Sequence, residues 1–293
     1  MISEETLKKI RKLEIISRKA ARDIFAGQYH SAFKGRGMEF SEVREYQFGD
    51  DIRFIDWNVS SRLGRLFVKQ FVEERELTII LAIDLSASLQ FISSRKSKKD
   101  IAVELSALIA FTAMLNNDKV GLLIFTDRVE VFIPPKKGRT HLLRLIRDIS
   151  EFQPQGRGTA IGGALAYLTS LLKKKAVVFL ISDFLDDNFA TALKIAARKH
   201  DLIAIAIRDR RELAPPRRGI FRLRDLESGE DFNADFGRAT VRSAFQDINR
   251  SRSEKLNDLF HKHAIDAITI HSDTDYEKPL FDLFLKRRHK FAR

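Results

Sequence analysis

One carboxylate and two hydroxyls stand at alternating positions just after an apolar run in the first third of the chain. Leu77 to Ile83 is rich in Ile and Leu, and Asp84, Ser86 and Ser88 follow it. Such a run predicts a strand buried on both faces of a sheet, and the ends of these strands form the ligand-binding edge of open α/β folds. Oxygen ligands of this kind suit a hard cation such as Mg²⁺. The spacing therefore predicts a cation site at a sheet edge.

Two distant stretches can complete this site. Thr159 follows a Gly-Arg-Gly turn and precedes a small-residue helix, whose N-terminus we expect it to cap. Ala176 to Ser182 is a second apolar run, and it ends at Asp183. Because parallel strands of one sheet end at the same edge, we expect Asp84 and Asp183 to lie together. We also expect Asp84 to lie beside solvent, so that its removal deletes a charge without opening a core cavity.

The pattern Asp-x-Ser-x-Ser, with a later Thr and a later strand-end Asp, resembles the metal-ion-dependent adhesion site (MIDAS) of von Willebrand factor type A domains. The five positions of that site are matched by Asp84, Ser86, Ser88, Thr159 and Asp183. The resemblance implies that these residues hold Mg²⁺ (or Mn²⁺ or Ca²⁺), the first three directly and the last two directly or through water. It also implies that one coordination position stays open and is filled by an acidic side chain of a partner protein.

The composition is that of a globular protein. The 293 residues are 44% hydrophobic and 31% charged, and none is cysteine. Without cysteine the chain has no disulfides and no thiol chemistry. The longest apolar candidate, Ile101 to Leu115, is interrupted by Glu104 and is too short to span a bilayer. The first residues do not match a secretory signal. We therefore expect a cytoplasmic protein with no membrane span.

The net charge of +12 is unevenly distributed. Basic residues concentrate in residues 1–22, 208–224 and 286–293, away from the predicted metal site. A nucleic-acid or anionic-lipid partner is one interpretation of these segments. Solvated helix faces and tails are the interpretation that we favour.

The segment from Glu39 to Arg75 mixes acids, arginines and aromatic residues. We interpret it as an ion-paired platform in which Arg44 or Arg53 pairs with acids of the same segment. Its Trp57 is expected to be a buried anchor.

This segment also resembles the signature of the family called domain of unknown function 58. The resemblance is carried by Glu39-Phe40, Arg44-Glu45-Tyr46, Gly49-Asp50-Asp51, Ile55-Asp56-Trp57 and Glu73-Glu74-Arg75, and it continues as far as Leu226-Glu227-Ser228-Gly229. It implies that a von Willebrand factor type A-like domain follows the segment. Proteins of this family are often associated with MoxR-type AAA+ ATPases, so the resemblance also implies an adaptor in a chaperone-like complex.

Alternating apolar runs and helical patterns predict an α/β fold, a von Willebrand factor type A-like (Rossmann-like) three-layer arrangement around a mostly parallel sheet. The strand 77–84 should lie in the middle, with 120–125 on one side and 176–182 on the other. Residues 129–133 should form an antiparallel edge strand. We assign residues 1–75 to an amphipathic helix, capped by Ser3, and the charged segment. Residues 76–293 form the α/β domain, with a hairpin-containing insertion at about 209–250.

These observations favour a metal-dependent protein–protein interaction module over an enzyme. The sequence contains no nucleophile elbow, no Walker loop and no metalloprotease spacing. One alternative is a divalent-metal hydrolase that uses Asp84 and Asp183 together with Asp50, Asp51 and Asp56. A second alternative is a nucleic-acid-binding protein acting through its basic periphery, although we consider nucleic acid an unlikely partner.

Overall fold

The structure is a computed structural model that describes residues 4–21, 29, 32, 39–72, 76–93, 96–214, 216 and 219–291. The chain divides into two compact units. The larger unit is formed by Met1–Phe33 with Leu77–Arg293, and the smaller unit by Lys34–Glu76.

The elements are numbered in chain order. The strands are β1 (Glu39–Glu45), β2 (Phe67–Val72), β3 (Thr78–Asp84), β4 (Lys119–Phe125), β5 (Val129–Lys136), β6 (Val177–Ser182), β7 (Asp201–Arg208), β8 (Ile220–Arg224), β9 (Asp231–Asp235) and β10 (Asp266–His271). The α-helices are α1 (Glu4–Ala20), α2 (Trp57–Leu63), α3 (Lys98–Leu115), α4 (Arg139–Glu151), α5 (Ile161–Leu171), α6 (Ala190–Lys199), α7 (Arg210–Leu213), α8 (Ala239–Lys262) and α9 (Glu277–Phe291).

The larger unit is built on a six-stranded sheet in the order β10-β7-β6-β3-β4-β5. The neighbouring strands are parallel except for β4 and β5, which are antiparallel. The predicted α/β class, the central position of β3 between β4 and β6, and the antiparallel edge strand are therefore confirmed. Strand order reverses at β3, and open α/β sheets bind ligands in the crevice at such a point.

Side chains of β3 alternate between two apolar cores, one on each face of the sheet. Ile79, Leu81 and Ile83 pack in the core that contains α1, α3, α4 and α9. Ile80 and Ala82 pack in the core that contains α5, α6 and α8. Because both faces are covered by helices, the strand is apolar at every position from Ile79 to Ile83. This double burial fixes the end of β3, and with it Asp84, to a rigid support.

The N-terminal helix α1 belongs to the larger unit, which differs from the predicted division at residue 75. Leu13 and Ala20 are buried in the core with α3. Glu14 accepts two hydrogen bonds from Arg139, of 2.7 and 2.9 Å, at the start of α4. The apolar stripe of α1 signalled burial, but it did not identify the surface that buries it. Ser3, the predicted cap, lies outside the described residues.

The smaller unit contains an antiparallel pair, β1 and β2, and the short helix α2. Arg44 donates to both carboxylate oxygens of Asp50, at 2.7 and 2.8 Å. Arg53 donates to Asp51, with its shortest bond at 2.6 Å. The predicted pairing of arginines with acids of the same segment is confirmed.

The predicted burial of Trp57 is wrong, because its side chain is 67% exposed. Asp56 accepts from the backbone N–H groups of Asn58 and Val59 and so caps α2. This cap places Trp57 at the first position of the helix, and the buried residue of that helix is Ser60. The aromatic side chain therefore lies on the outer side of a short, well-capped turn.

The predicted insertion contains an antiparallel hairpin formed by β8 and β9. The insertion is shorter than expected, because α8 begins at Ala239 and the next helix was expected to begin near residue 252. The buried residues of α8, Leu256 and Phe260, lie in its second half. The first half carries Val241, Phe245 and Ile248 at helical spacing, so the periodic signal was present there and the prediction missed it.

Candidate metal centre

Asp84 lies at the end of β3 and is fully buried. One carboxylate oxygen, Oδ1, accepts from the backbone N–H of Ser86 at 2.9 Å. The other, Oδ2, accepts from the hydroxyl of Ser182 at 2.7 Å. The expectation that Asp84 lies beside solvent is wrong, because the flanking strands and the turn after β3 enclose it. Both carboxylate oxygens are thus held in a fixed orientation.

Asp183 follows β6, the strand beside β3, and is also fully buried. Its Oδ2 accepts from the Lys98 ammonium at 2.8 Å, and the same ammonium donates to Glu212 at 2.6 Å. Its Oδ1 is buried and has no hydrogen-bond donor in the described part of the chain. Buried carboxylate oxygens are normally paired. An oxygen of this kind fits a cation ligand.

The two serines of the Asp-x-Ser-x-Ser pattern are buried beside Asp84. Their hydroxyls hydrogen-bond to each other at 3.0 Å. A short 3₁₀ helix, Ala87–Gln90, turns the chain directly after Ser86 and keeps Ser88 next to it. The spacing of two residues therefore brings both hydroxyls together, as the sequence predicted.

Thr159 lies on the loop that precedes α5, and this loop reaches the turn after β3. The backbone N–H of Ala87 donates to the carbonyl of Arg157 at 3.0 Å. The Thr159 hydroxyl donates to Glu227 Oε1 at 2.7 Å. Glu227, which lies between β8 and β9, thereby contacts one of the predicted ligands.

The predicted capping role of Thr159 is wrong. The residue preceding α5 is Ala160, and it makes no side-chain cap. Asp186, from the loop after β6, accepts instead from the backbone N–H of Ile161 at 2.9 Å. Because another segment caps the helix, the Thr159 hydroxyl remains available to the site.

The loop before Thr159 is held by an acid that the sequence did not single out. Glu130 Oε1 accepts from the backbone N–H groups of Gln155 and Gly156, at 3.1 and 2.8 Å, and from the Thr126 hydroxyl at 2.9 Å. These hydrogen bonds outweigh the effect of burial and lower the pKa of Glu130. A Cβ atom at Gly156 would lie 2.3 Å from Thr126 Oγ1, so a larger residue there requires the neighbouring side chains or the loop to move.

The electrostatics of the site are those of crowded acids. Burial, together with the charge of Asp183, raises the pKa of Asp84 to about 7. Burial and the charge of Asp183 also raise the pKa of Glu227. Burial alone would lower the pKa of Lys98, but Asp183 and Glu212 together outweigh it and raise that pKa. A cation among these groups would relieve the repulsion that the acids experience.

The donor set fits a hard divalent cation better than a zinc-type site. The described residues contain no group of three or more His, Cys, Asp or Glu arranged to hold a metal. The site instead combines two aspartates with the hydroxyls of Ser86, Ser88 and Thr159, a set suited to Mg²⁺ or Mn²⁺. The sequence missed Ser182, Lys98 and Glu212, which carry no motif and reach the site only through the fold.

The acids of the smaller unit are engaged within that unit. Asp50 and Asp51 are paired with arginines, and Asp56 caps α2 and lies 3.6 Å from Lys69. These contacts account for their charges without a metal ion. They give no support to a hydrolase site built from these residues.

Comparison with known proteins places residues 42–255 under the family model described as "Protein of unknown function DUF58". An uncharacterized protein of Mycobacterium tuberculosis (strain ATCC 25618 / H37Rv), Rv1480, is 32% identical over 231 residues, which are 77% of this chain and 73% of that protein. The uncharacterized protein YeaD of Bacillus subtilis (strain 168) is 26% identical over 123 residues, 42% of this chain and 27% of that protein.

Two solved structures resemble the fold. The hypothetical protein BatB from Bacteroides thetaiotaomicron has a TM-score of 0.49 at 17% identity, with 73% of this chain and 99% of that chain covered. The SpRpn10 VWA domain has a TM-score of 0.39 at 14% identity, with 71% and 93% covered. No helix in the described ranges is long and apolar enough to cross a membrane.

Proposed function

This chain belongs to the DUF58 family, and we propose that it is a metal-dependent protein-interaction module. Asp84, Ser86, Ser88, Thr159 and Asp183 would hold Mg²⁺, or in its place Mn²⁺ or Ca²⁺. The ion, when bound, supplies a positive charge to which an acidic side chain of a partner protein binds. The observation that carries this proposal is the buried Oδ1 of Asp183, which lacks a donor beside a second buried carboxylate and three hydroxyls.

The chain's own residues keep this site in one geometry. Ser182 and the backbone of Ser86 orient the Asp84 carboxylate. Lys98 binds Oδ2 of Asp183 and leaves Oδ1 for a ligand role. Neighbouring groups that orient metal ligands commonly strengthen metal binding. Lys98 also balances part of the negative charge, which lowers the cost of burying two aspartates before an ion arrives.

We propose a binding role without a catalytic step. No histidine of the described residues is hydrogen-bonded to Ser86 or Ser88, and the two hydroxyls bind each other instead. The family resemblance supports an adaptor of a MoxR-type AAA+ ATPase, with a partner that contributes an Asp or Glu. The cytoplasmic location expected from the sequence stays a prediction.

The test uses purified full-length chain in calorimetric titrations with Mg²⁺ and Mn²⁺, followed by binding of a purified MoxR-type ATPase. We expect Asp84→Asn to weaken metal binding by tenfold or more, which is about 1.4 kcal/mol. It should also abolish ATPase binding, as should a chelator. Asp187→Asn, which changes an exposed acid on the nearby loop, is the matched control and should behave as wild type.

Two results would contradict the proposal. If wild type binds neither ion, or binds it equally well after Asp84→Asn, the metal site is wrong. If the ATPase binds equally well in chelator, its contact with this chain does not use the metal.

A further inference from the structure

Hydrogen bonds within the tip of the β8–β9 hairpin hold the backbone at Glu227. Asp225 Oδ1 accepts from the backbone N–H groups of Glu227 and Ser228 at 2.8 and 3.0 Å. Gly229 has a φ of +77°, which glycine adopts readily, and its N–H donates to the carbonyl of Asp225 at 2.8 Å. The conformation of Glu227 is therefore fixed by its own loop.

Glu227 contacts the hydroxyl side of the candidate metal centre. Its Oε1 accepts from the Thr159 hydroxyl at 2.7 Å. A Cβ atom at Gly158 would lie 3.8 Å from its Oε2. Thr159 belongs to the predicted ligand set. The hairpin thus brings a carboxylate into contact with a predicted metal ligand.

No basic side chain in the described ranges forms an ion pair with Glu227 or with Asp84. The nearest buried ammonium, that of Lys98, is bound to Asp183 and Glu212. Acids that gather around hydroxyls without a basic partner repel each other. A carboxylate that the hairpin holds beside Thr159 without a basic partner is therefore favoured when a cation binds next to it.

We infer that Glu227 is the chain's own acidic ligand for the cation. It takes the coordination position that an acid of the partner uses, so the partner must displace the hairpin tip to bind. This inference rests on the proposed function, because it assigns a further residue to the same metal centre. The inference adds that Glu227 binds the cation when no partner is present and that partners must compete with it.

The probe is Mn²⁺ alone, added to purified full-length chain. Its affinity is measured by electron paramagnetic resonance, and its bound water by water-proton relaxation. We expect Glu227→Gln to weaken Mn²⁺ binding by about tenfold, or about 1.4 kcal/mol, because a neutral amide replaces an anionic ligand. We also expect the bound ion to gain an exchangeable water. Glu230→Gln, on the same hairpin tip, is the matched control and should match wild type.

Acetate tests the competition. It should remove the extra water from Mn²⁺ bound to Glu227→Gln and should leave wild type unchanged, since Glu227 already occupies that position. An equal effect of acetate on both proteins would refute the claim that Glu227 and an external carboxylate compete for one coordination position.

The outcomes separate the two proposals. If wild type binds Mn²⁺ but Glu227→Gln has the same affinity and the same hydration, the assignment of Glu227 fails while the metal centre stands. If wild type binds no Mn²⁺, both proposals fail. Thermal unfolding without metal verifies that each variant is folded.

Discussion

Replacing Asp84 with asparagine should stabilise the metal-free protein at neutral and alkaline pH. The carboxylate is fully buried beside Asp183, and its pKa is raised from an ordinary value of 3.8 to about 7. Its folded form therefore holds a proton more tightly than its unfolded form. By linkage, the contribution of Asp84 to the free energy of unfolding is fully present below about pH 4 and is lost as the pH rises towards 7. The two pKa values differ by about three units, and at about 1.4 kcal/mol per unit this corresponds to roughly 4 kcal/mol.

Asparagine keeps the shape of the side chain. Its carbonyl can accept from the backbone N–H of Ser86, and its amide can donate to the hydroxyl of Ser182. Alanine would leave both groups without partners in a buried place, which typically costs 1–3 kcal/mol per group. Asp84→Asn therefore measures the effect of the charge on stability without changing the packing around the side chain. We expect it to be more stable than wild type by roughly 2–4 kcal/mol near pH 8 and equally stable near pH 4.

The assay is urea unfolding across this pH range, in chelator and in Mg²⁺. In Mg²⁺ the wild type should gain stability, because the ion binds the folded state alone. Asp84→Asn should gain little, so its advantage should shrink or reverse. Asp187→Asn is the control for loss of a carboxylate. If the difference between Asp84→Asn and wild type is the same at every pH in chelator, the raised pKa and the reasoning built on it are refuted.

Two further predictions concern the support of the site. Lys98→Met should destabilise the protein by about 3–5 kcal/mol, since it leaves the buried Asp183 and the partly buried Glu212 without their shared cation. Urea unfolding against Lys194→Met, which changes an exposed lysine of α6, checks this, and equal stability of the two variants would contradict it. Gly156→Ala should shift the loop and weaken Mn²⁺ binding, because its Cβ would lie 2.2 Å from Asp127 Oδ1. Gly158→Ala, whose nearest contact would be 3.6 Å, is the control in the same titration, and equal Mn²⁺ affinity of the two would contradict the prediction.

Much of the fold was predictable because the strands are buried on both faces. A continuous apolar run that ends in an acid marks both β3 and β6, and the sheet rule then puts the two acids at one edge. The hairpin β4–β5 was predictable from its tight turn. The first half of α8 was assigned to the insertion, although Val241, Phe245 and Ile248 lie there at helical spacing. Gly-, Pro- and Arg-rich sequence before it favoured a loop over the start of a helix.

The errors at individual residues have a common physical origin. Trp57 was expected to be buried because of its size, but the cap formed by Asp56 decides where it lies. Thr159 was expected to cap α5, but Asp186 supplies that cap from a distant loop. In both cases local residue type gave the expectation, and a hydrogen bond formed by another residue overrode it. Sequence spacing does not reveal such competition.

The charge balance of the site could not be predicted from sequence, because it is made by residues far apart in the chain. Lys98 lies 85 residues from Asp183 and 114 from Glu212. It balances one of these two acids, and Asp84 and Glu227 have no ion-pair partner in the described ranges. Acids therefore outnumber their ion-pair partners at this site. Hydroxyl and carboxylate oxygens in such surroundings match the requirements of a divalent ion. A site with its own acid in place would then select partners able to present a carboxylate that binds more strongly than Glu227.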